Sequence, residues 1–163
     1  MEIKQFSFRV EEYFSLTELE KSDRELLEEA IKASASAYSP YSGFQVGSAV
    51  RLANRHIVAG NNQENAAYPS GMCAERVALF YAQSQYPGVA VDSVAIFARS
   101  KDFNLDAPVT PCGSCRQVMA EYENRHSKKM RVIMGNGDGK VQVVFGMENL
   151  LPLMFMLEKL KKQ

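Results

Sequence analysis

The chain carries no excess of either charge: Lys plus Arg and Asp plus Glu each number 19 in 163 residues, for a formal net charge of zero. A protein built to grip a polyanion shows a basic surplus, so this balance argues against nucleic acid as a partner. No stretch approaches the roughly 18 consecutive apolar residues of a membrane span, and residues 1–14 carry acidic groups in place of the apolar run of a secretory leader. The expectation is a cytoplasmic protein. Cysteine is scarce and odd in number, three residues, which excludes a fully paired disulfide framework and suits a reducing compartment where thiols stay free for metal or catalysis. Histidine is scarcer still, His56 and His126 alone. Repeats, linkers and low-complexity tracts are lacking. At 46% hydrophobic and 23% charged residues, the composition is that of one globular domain able to fold on its own core.

What is present reads as a layered α/β domain. Phe6, Phe8 and Val10 alternate at period two in QFSFRVEE, the pattern of a strand or extended arm. SDRE, Ser22 to Glu25, has the S-x-x-E spacing of a capping box, and Leu26, Leu27, Ala30, Ile31 and Ala37 follow at helical intervals until Pro40. FQVGSAVRL and HIVAGNN are strand-like runs joined by turn residues around Asn54, a hairpin. Residues 72–83 predict a helix, 91–98 a buried strand, 111–122 a helix and RVIMG another buried strand, an alternation that implies parallel crossovers. The turn GNGDGK is too short for such a crossover, so VQVVF is expected to run antiparallel as a fifth strand. The expected architecture is a three-layer α-β-α sandwich around a mixed five-stranded sheet. It closes on ENLLPLMFMLEKLKKQ as a short helix, a break at Pro152 and a final apolar segment.

The cysteines stand where loops turn into helices: Cys73 in YPSGMCAERVALF, Cys112 and Cys115 in TPCGSCRQVMAEY. Cys112 and Cys115, three apart, share one face of a first helical turn. Thr110 suits an N-cap and Pro111 the first helical position, and Ser70 can cap the other helix, which puts Cys112 and Cys73 at the positive ends of helix dipoles where thiolate is favoured. Two helix starts can aim three thiolates at one point, and three ligands with an open fourth position are what a catalytic zinc requires. Glu75 points about 200° around the axis from Cys73 and is not placed to ligate the same ion. A side chain near a helix start leans back toward the N-terminus, however, so its carboxylate can hang within reach of a water beside the metal, the position of a proton shuttle. An isolated C-x-x-C also fits a structural zinc site or buried free thiols. A structural site wants four closed ligands, and neither His56 nor His126 lies beside a cysteine pair at finger-like spacing. Glu75 with Arg76 also reads as a solvated helix face, Asn62 and Glu64 as strand-end turn residues, and Phe44 and Phe155 as core aromatics.

C-A-E followed by P-C-G-S-C resembles the C-x-E…P-C-x-x-C signature of zinc-dependent nucleoside deaminases. YSGFQVGSA, NNQENAAYPSGMCAER, TPCGSCRQVMAEY and NLLPLMF are together similar to cytidine deaminases of the compact, three-cysteine, homotetrameric kind, almost continuously from Ser36 to Phe155. The resemblance implies one zinc per subunit on Cys73, Cys112 and Cys115, with Glu75 as the catalytic acid and base. It implies Asn62 and Glu64 on the ribose hydroxyls, Phe44 at the pyrimidine, Ala74 as a backbone contact to the ring, Arg76 offsetting thiolate charge, and Phe155 reaching a neighbouring subunit's site. The implied reaction is hydrolytic deamination of cytidine and 2′-deoxycytidine to uridine and 2′-deoxyuridine, in pyrimidine salvage, with neither nucleic acid nor membrane as partner. A phosphate near Glu64 would meet like charge, which disfavours nucleotides. The alternatives are an aminohydrolase for another cytosine nucleoside such as blasticidin S, and a zinc-stabilised binding module without turnover. The chain departs from the family's common pattern at Ser48 and Val77, in a longer stretch between Tyr81 and Pro108, and in an N-terminal extension, residues 1–21, ahead of a catalytic domain at 22–163.

Overall fold

The computed structural model describes residues 1–156. In chain order the elements are β1 (Glu11–Tyr13), α1 (Lys21–Ser34), β2 (Phe44–Leu52), β3 (Ile57–Asn61), α2 (Ala74–Gln85), β4 (Val91–Ser100), α3 (Gly113–His126), β5 (Arg131–Asn136) and β6 (Val141–Phe145). The strands form one sheet in the order β1-β6-β5-β4-β2-β3.

Period-two alternation divides the strand residues between two cores. Val50 and Leu52 of β2 and Val94 and Ile96 of β4 face α2 and α3, packing with Ala78, Leu79 and Met119. Ala49, Ala95 and Phe97 face the other way, onto Leu26, Leu27 and Ala30 of α1. Helices therefore cover both faces, as expected of the three-layer sandwich. The backbone of α1 comes so close that a Cβ on Gly47 would lie 1.9 Å from the Ala30 carbonyl oxygen; only glycine fits there. β4 and β5, joined by α3, pair in parallel, while β6 pairs antiparallel to β5. β2 lies between β3 and β4, antiparallel to both, so α2 also connects two strands of one direction.

Three expectations need correction. The sheet has six strands, not five, because β1 adds an antiparallel edge to β6. That strand is not the Phe6–Val10 run but the three residues after it. β6 offers partners only at Val141–Val143, and Arg131 holds the segment there through Glu11 at 3.1 Å. Phe6 and Phe8 are left exposed. The capping box does not form either: Glu20 is the N-cap of α1 and makes no side-chain cap bond. Asp23, buried in the first turn, is drawn to Arg131 Nε at 2.6 Å, and Ser22 turns its carbonyl to Arg51. After β6 the chain makes one 3-10 turn at Met147–Asn149. The remainder of the expected terminal segment, 157–163, lies outside the described residues.

Candidate active site

The starts of α2 and α3 converge on the end of the sheet where β2 begins and β4 finishes. Neither helix is capped by a hydroxyl. The N-cap positions expected of Ser70 and Thr110 are taken by Cys73 and Cys112 themselves, both in extended backbone and both without a side-chain cap bond. Ser70 closes a separate 3-10 turn at Tyr68–Ser70, and Thr110 accepts from Arg116 Nη2 at 2.8 Å. The physical reason is the gathering of the thiols: Cys73 and Cys112 sit at the cap positions, where the positive field of the first-turn N–H groups favours thiolate, and their sulfurs meet at 3.8 Å. Cys115 follows within the first turn of α3, fully buried.

The three sulfurs lie within 4.8 Å of one another. Cys73 Sγ is 3.8 Å from Cys112 Sγ, which is 3.5 Å from Cys115 Sγ. Tetrahedral zinc with Zn–S bonds of about 2.3 Å would separate its sulfurs by about 3.8 Å, so the trio has the spacing and the donor chemistry of a zinc corner. Among the described residues this is the only such cluster of three or more potential ligands. The thiols share protons unequally. Hydrogen bonding from Cys115, together with Arg76 and Cys112, lowers the Cys73 thiol to about 5 against the opposition of burial. Cys115, as donor to Cys73 and buried, is pushed up. Arg76 Nη2 reaches Cys73 Sγ at 3.6 Å, and its own pKa rises through that bond. Arg76 Nε is buried beside the trio without a partner.

Glu75 is 5% exposed. Burial raises its pKa above the ordinary carboxylate value, with the Cys73 charge adding to the effect, so this carboxyl holds a proton more readily than an exposed one.

A cavity of about 390 Å³ opens over the trio, lined by Cys73, Cys112, Glu75, Ala74, Asn62 and Phe44 among others; that is the size of a small-molecule site. Glu64 and Arg76 also line it. Glu64 accepts from the Tyr41 N–H at 3.0 Å, the Ser42 N–H at 3.3 Å and the Ser42 hydroxyl, and its pKa is lowered chiefly by that hydroxyl. Asn62 accepts from the Val46 N–H at 2.8 Å and donates to the Phe44 carbonyl at 2.9 Å. Phe155 is not brought in: it is 63% exposed and lies outside the lining of its own chain's cavity, with its backbone held by Gln117. Sequence reasoning overlooked Tyr41, Val46, Ile96 and Val109, which also line the wall. Val46 and Ile96 could have been found from parity, since both stand on the α2-facing side of strands that end beside Cys73. A larger hollow of about 950 Å³ at the opposite end of the sheet is lined by the Arg131 ion pairs with Asp23 and Glu11 and contains neither thiol nor imidazole.

Residues 20–133 match the model of the cytidine and deoxycytidylate deaminase zinc-binding region. The chain is 44% identical over 137 residues to a cytidine deaminase from Halalkalibacterium halodurans, covering 83% of this chain and 96% of that one. It is 40% identical over 136 residues to one from Sporosarcina psychrophila, covering 83% and 92%. Its fold is similar to the crystal structure of cytidine deaminase from Burkholderia pseudomallei, with a TM-score of 0.70 and 37% identity over 80% of this chain and 97% of that one.

Proposed function

The chain belongs to the cytidine and deoxycytidylate deaminase family, and from that premise we propose that this cavity hydrolyses cytidine and 2′-deoxycytidine to the uracil nucleosides and ammonia. The observation that carries the reading is three sulfurs at zinc spacing beside one buried carboxyl, under a cavity of nucleoside scale. Cys73, Cys112 and Cys115 would hold the zinc, which supplies Lewis-acid activation of water near neutral pH.

The chain's own groups do the rest. Glu75 takes a proton from the attacking water and passes it to N3 of the cytosine, making C4 electrophilic; once the hydroxide has added to C4, Glu75 takes the remaining proton of that hydroxyl and gives it to the amine, so that the C4–N bond breaks, ammonia leaves and the C4 carbonyl of uracil forms. Its raised pKa suits a group that must be base and acid in turn. Arg76, against Cys73 Sγ, draws off part of the charge of three thiolates, which would otherwise oppose loss of a proton from water. Asn62 and Glu64 address the ribose hydroxyls, Ala74 presents backbone to the ring, and Phe44 flanks the pyrimidine. The Glu64 carboxylate disfavours a phosphate nearby, so free nucleosides are the substrates.

The chain works as a cytoplasmic homotetramer in pyrimidine salvage, with residues 22–163 as the catalytic domain and 1–21 as an extension. Phe155, exposed and outside the lining of its own cavity, covers the pyrimidine in a neighbouring subunit. No described helix is long and apolar enough to cross a membrane. Incubation with cytidine, followed by the ultraviolet change as cytosine becomes uracil, tests the reading. Turnover of cytidine is expected; turnover of blasticidin S alone, or zinc binding without turnover of either, would replace it.

A further inference from the structure

The stretch after β4 lines the cavity only from Val109 onward, and we propose that Phe103, ahead of that return, is a positioning residue that holds the Phe44 ring in place for substrate. The proposal rests on the reading of the cavity as a nucleoside site. The two rings are parallel to within 8°, with centroids 6.4 Å apart, within the range of offset aromatic pairs. Phe44 lines the cavity and Phe103 does not, so the stack braces Phe44 from the outside.

The brace is itself anchored. Asn136, buried at the end of β5, donates to the Leu105 carbonyl at 2.7 Å, and Lys140 Nζ reaches the Asp106 carbonyl at 2.9 Å. At the near side the Lys101 N–H meets the Gly43 carbonyl at 3.3 Å. Gly43 has φ +63°, and a Cβ there would stand 2.3 Å from Asp102 Oδ2; glycine is what lets the stretch lie against the start of β2. Asn62 pins the Phe44 backbone from the other side. Phe44 is thus fixed at its main chain by Asn62 and at its ring by Phe103, although Phe103 itself is 51% exposed. Half-exposed aromatic surface with anchors on both flanks is what preorganisation of a binding wall requires.

If Phe44 contacts the pyrimidine equally in the ground and transition states, loosening its ring raises KM and spares kcat. Phe103→Ala is expected to raise KM for cytidine roughly two- to tenfold, the worth of one aromatic pair, with kcat retained, and Phe103→Tyr to restore it. Combined with Phe44→Leu, Phe103→Ala should add no further rise. A second measurement does not depend on turnover. The chain has no tryptophan, so Phe44→Trp installs a sole tryptophan at the wall, excitable apart from the tyrosines, and adding Phe103→Ala should increase its quenching by iodide. Wild-type KM in Phe103→Ala, a KM rise that persists in the Phe44→Leu background, or unchanged quenching overturns the proposal. Failure of the wild type to deaminate cytidine would instead count against the functional reading, and the quenching comparison would still decide whether Phe103 holds Phe44.

Discussion

The Asn62 side chain donates to the main-chain carbonyl of Phe44 at 2.9 Å. With its acceptor bond to Val46, this makes Asn62 a clamp on the cavity wall as well as the group proposed for the ribose. Replacing it by alanine should cost about 2 kcal/mol for two hydrogen bonds, or roughly 4–8 °C in Tm for a chain of this length. It should weaken cytidine more than free cytosine, yet weaken cytosine too. Asn62→Asp sets an oxygen against the Phe44 carbonyl and should be no milder. Thermal melts and KM for both substrates check this; an unaffected Tm would remove the clamp.

Metal content should follow the cysteines. Active protein should contain one zinc per chain, and Cys112→Ala should lose it, because the two thiolates left, Cys73 of α2 and Cys115 of α3, do not close the corner. Chelation should lower Tm, since a ligand bound only by the folded state stabilises it. Elemental analysis with parallel melts reads both.

Glu123 gives a pH dependence away from the cavity. It is buried, 8% exposed, and accepts from the N–H groups of Met130 and Met147. Burial outweighs those bonds and raises its pKa above 4.5. The folded state therefore binds this proton more tightly than the unfolded state does, and the contribution is lost as pH rises from 4.5 through the folded value. Glu123→Gln keeps an acceptor without the charge, so its Tm should gain on wild type over that rise. A constant difference from pH 4 to 8 would contradict this.

Sharing of sites between subunits is open to a mixing test. When Glu75→Gln chains are refolded together with Phe155→Ala chains, an intact Glu75 site can borrow the partner's intact phenylalanine. Mixed tetramers should then exceed the mean activity of the two parents. Activity equal to that mean, or an active monomer on sizing, would contradict a trans role for Phe155.

The helices, the hairpin and the meeting of three sulfurs are legible in the sequence because each rests on local spacing: two loop-to-helix transitions, a C-x-x-C, and a glutamate two residues beyond a cysteine. What local spacing does not carry is partnership. Phe6, Phe8 and Val10 alternate like a strand, yet only Glu11–Tyr13 pair, because the available stretch of β6 and the Arg131 guanidinium lie opposite them. Ser70 and Thr110 have the chemistry of caps, yet the caps are cysteines, since rules built on oxygen acceptors do not weigh thiols gathered from two helices. The contact of Phe103 with Phe44 spans 59 residues and leaves no periodic trace; only the fold brings the two rings together.

The most direct measurement is made on Glu75→Gln. Glutamine preserves the shape of the buried side chain but cannot take up and release a proton, a role worth typically about 10²–10⁴-fold in rate. The variant should keep its fold and one zinc per chain while kcat for cytidine falls by at least about 10²-fold. Wild-type kcat in a folded, zinc-loaded Glu75→Gln protein would contradict the account.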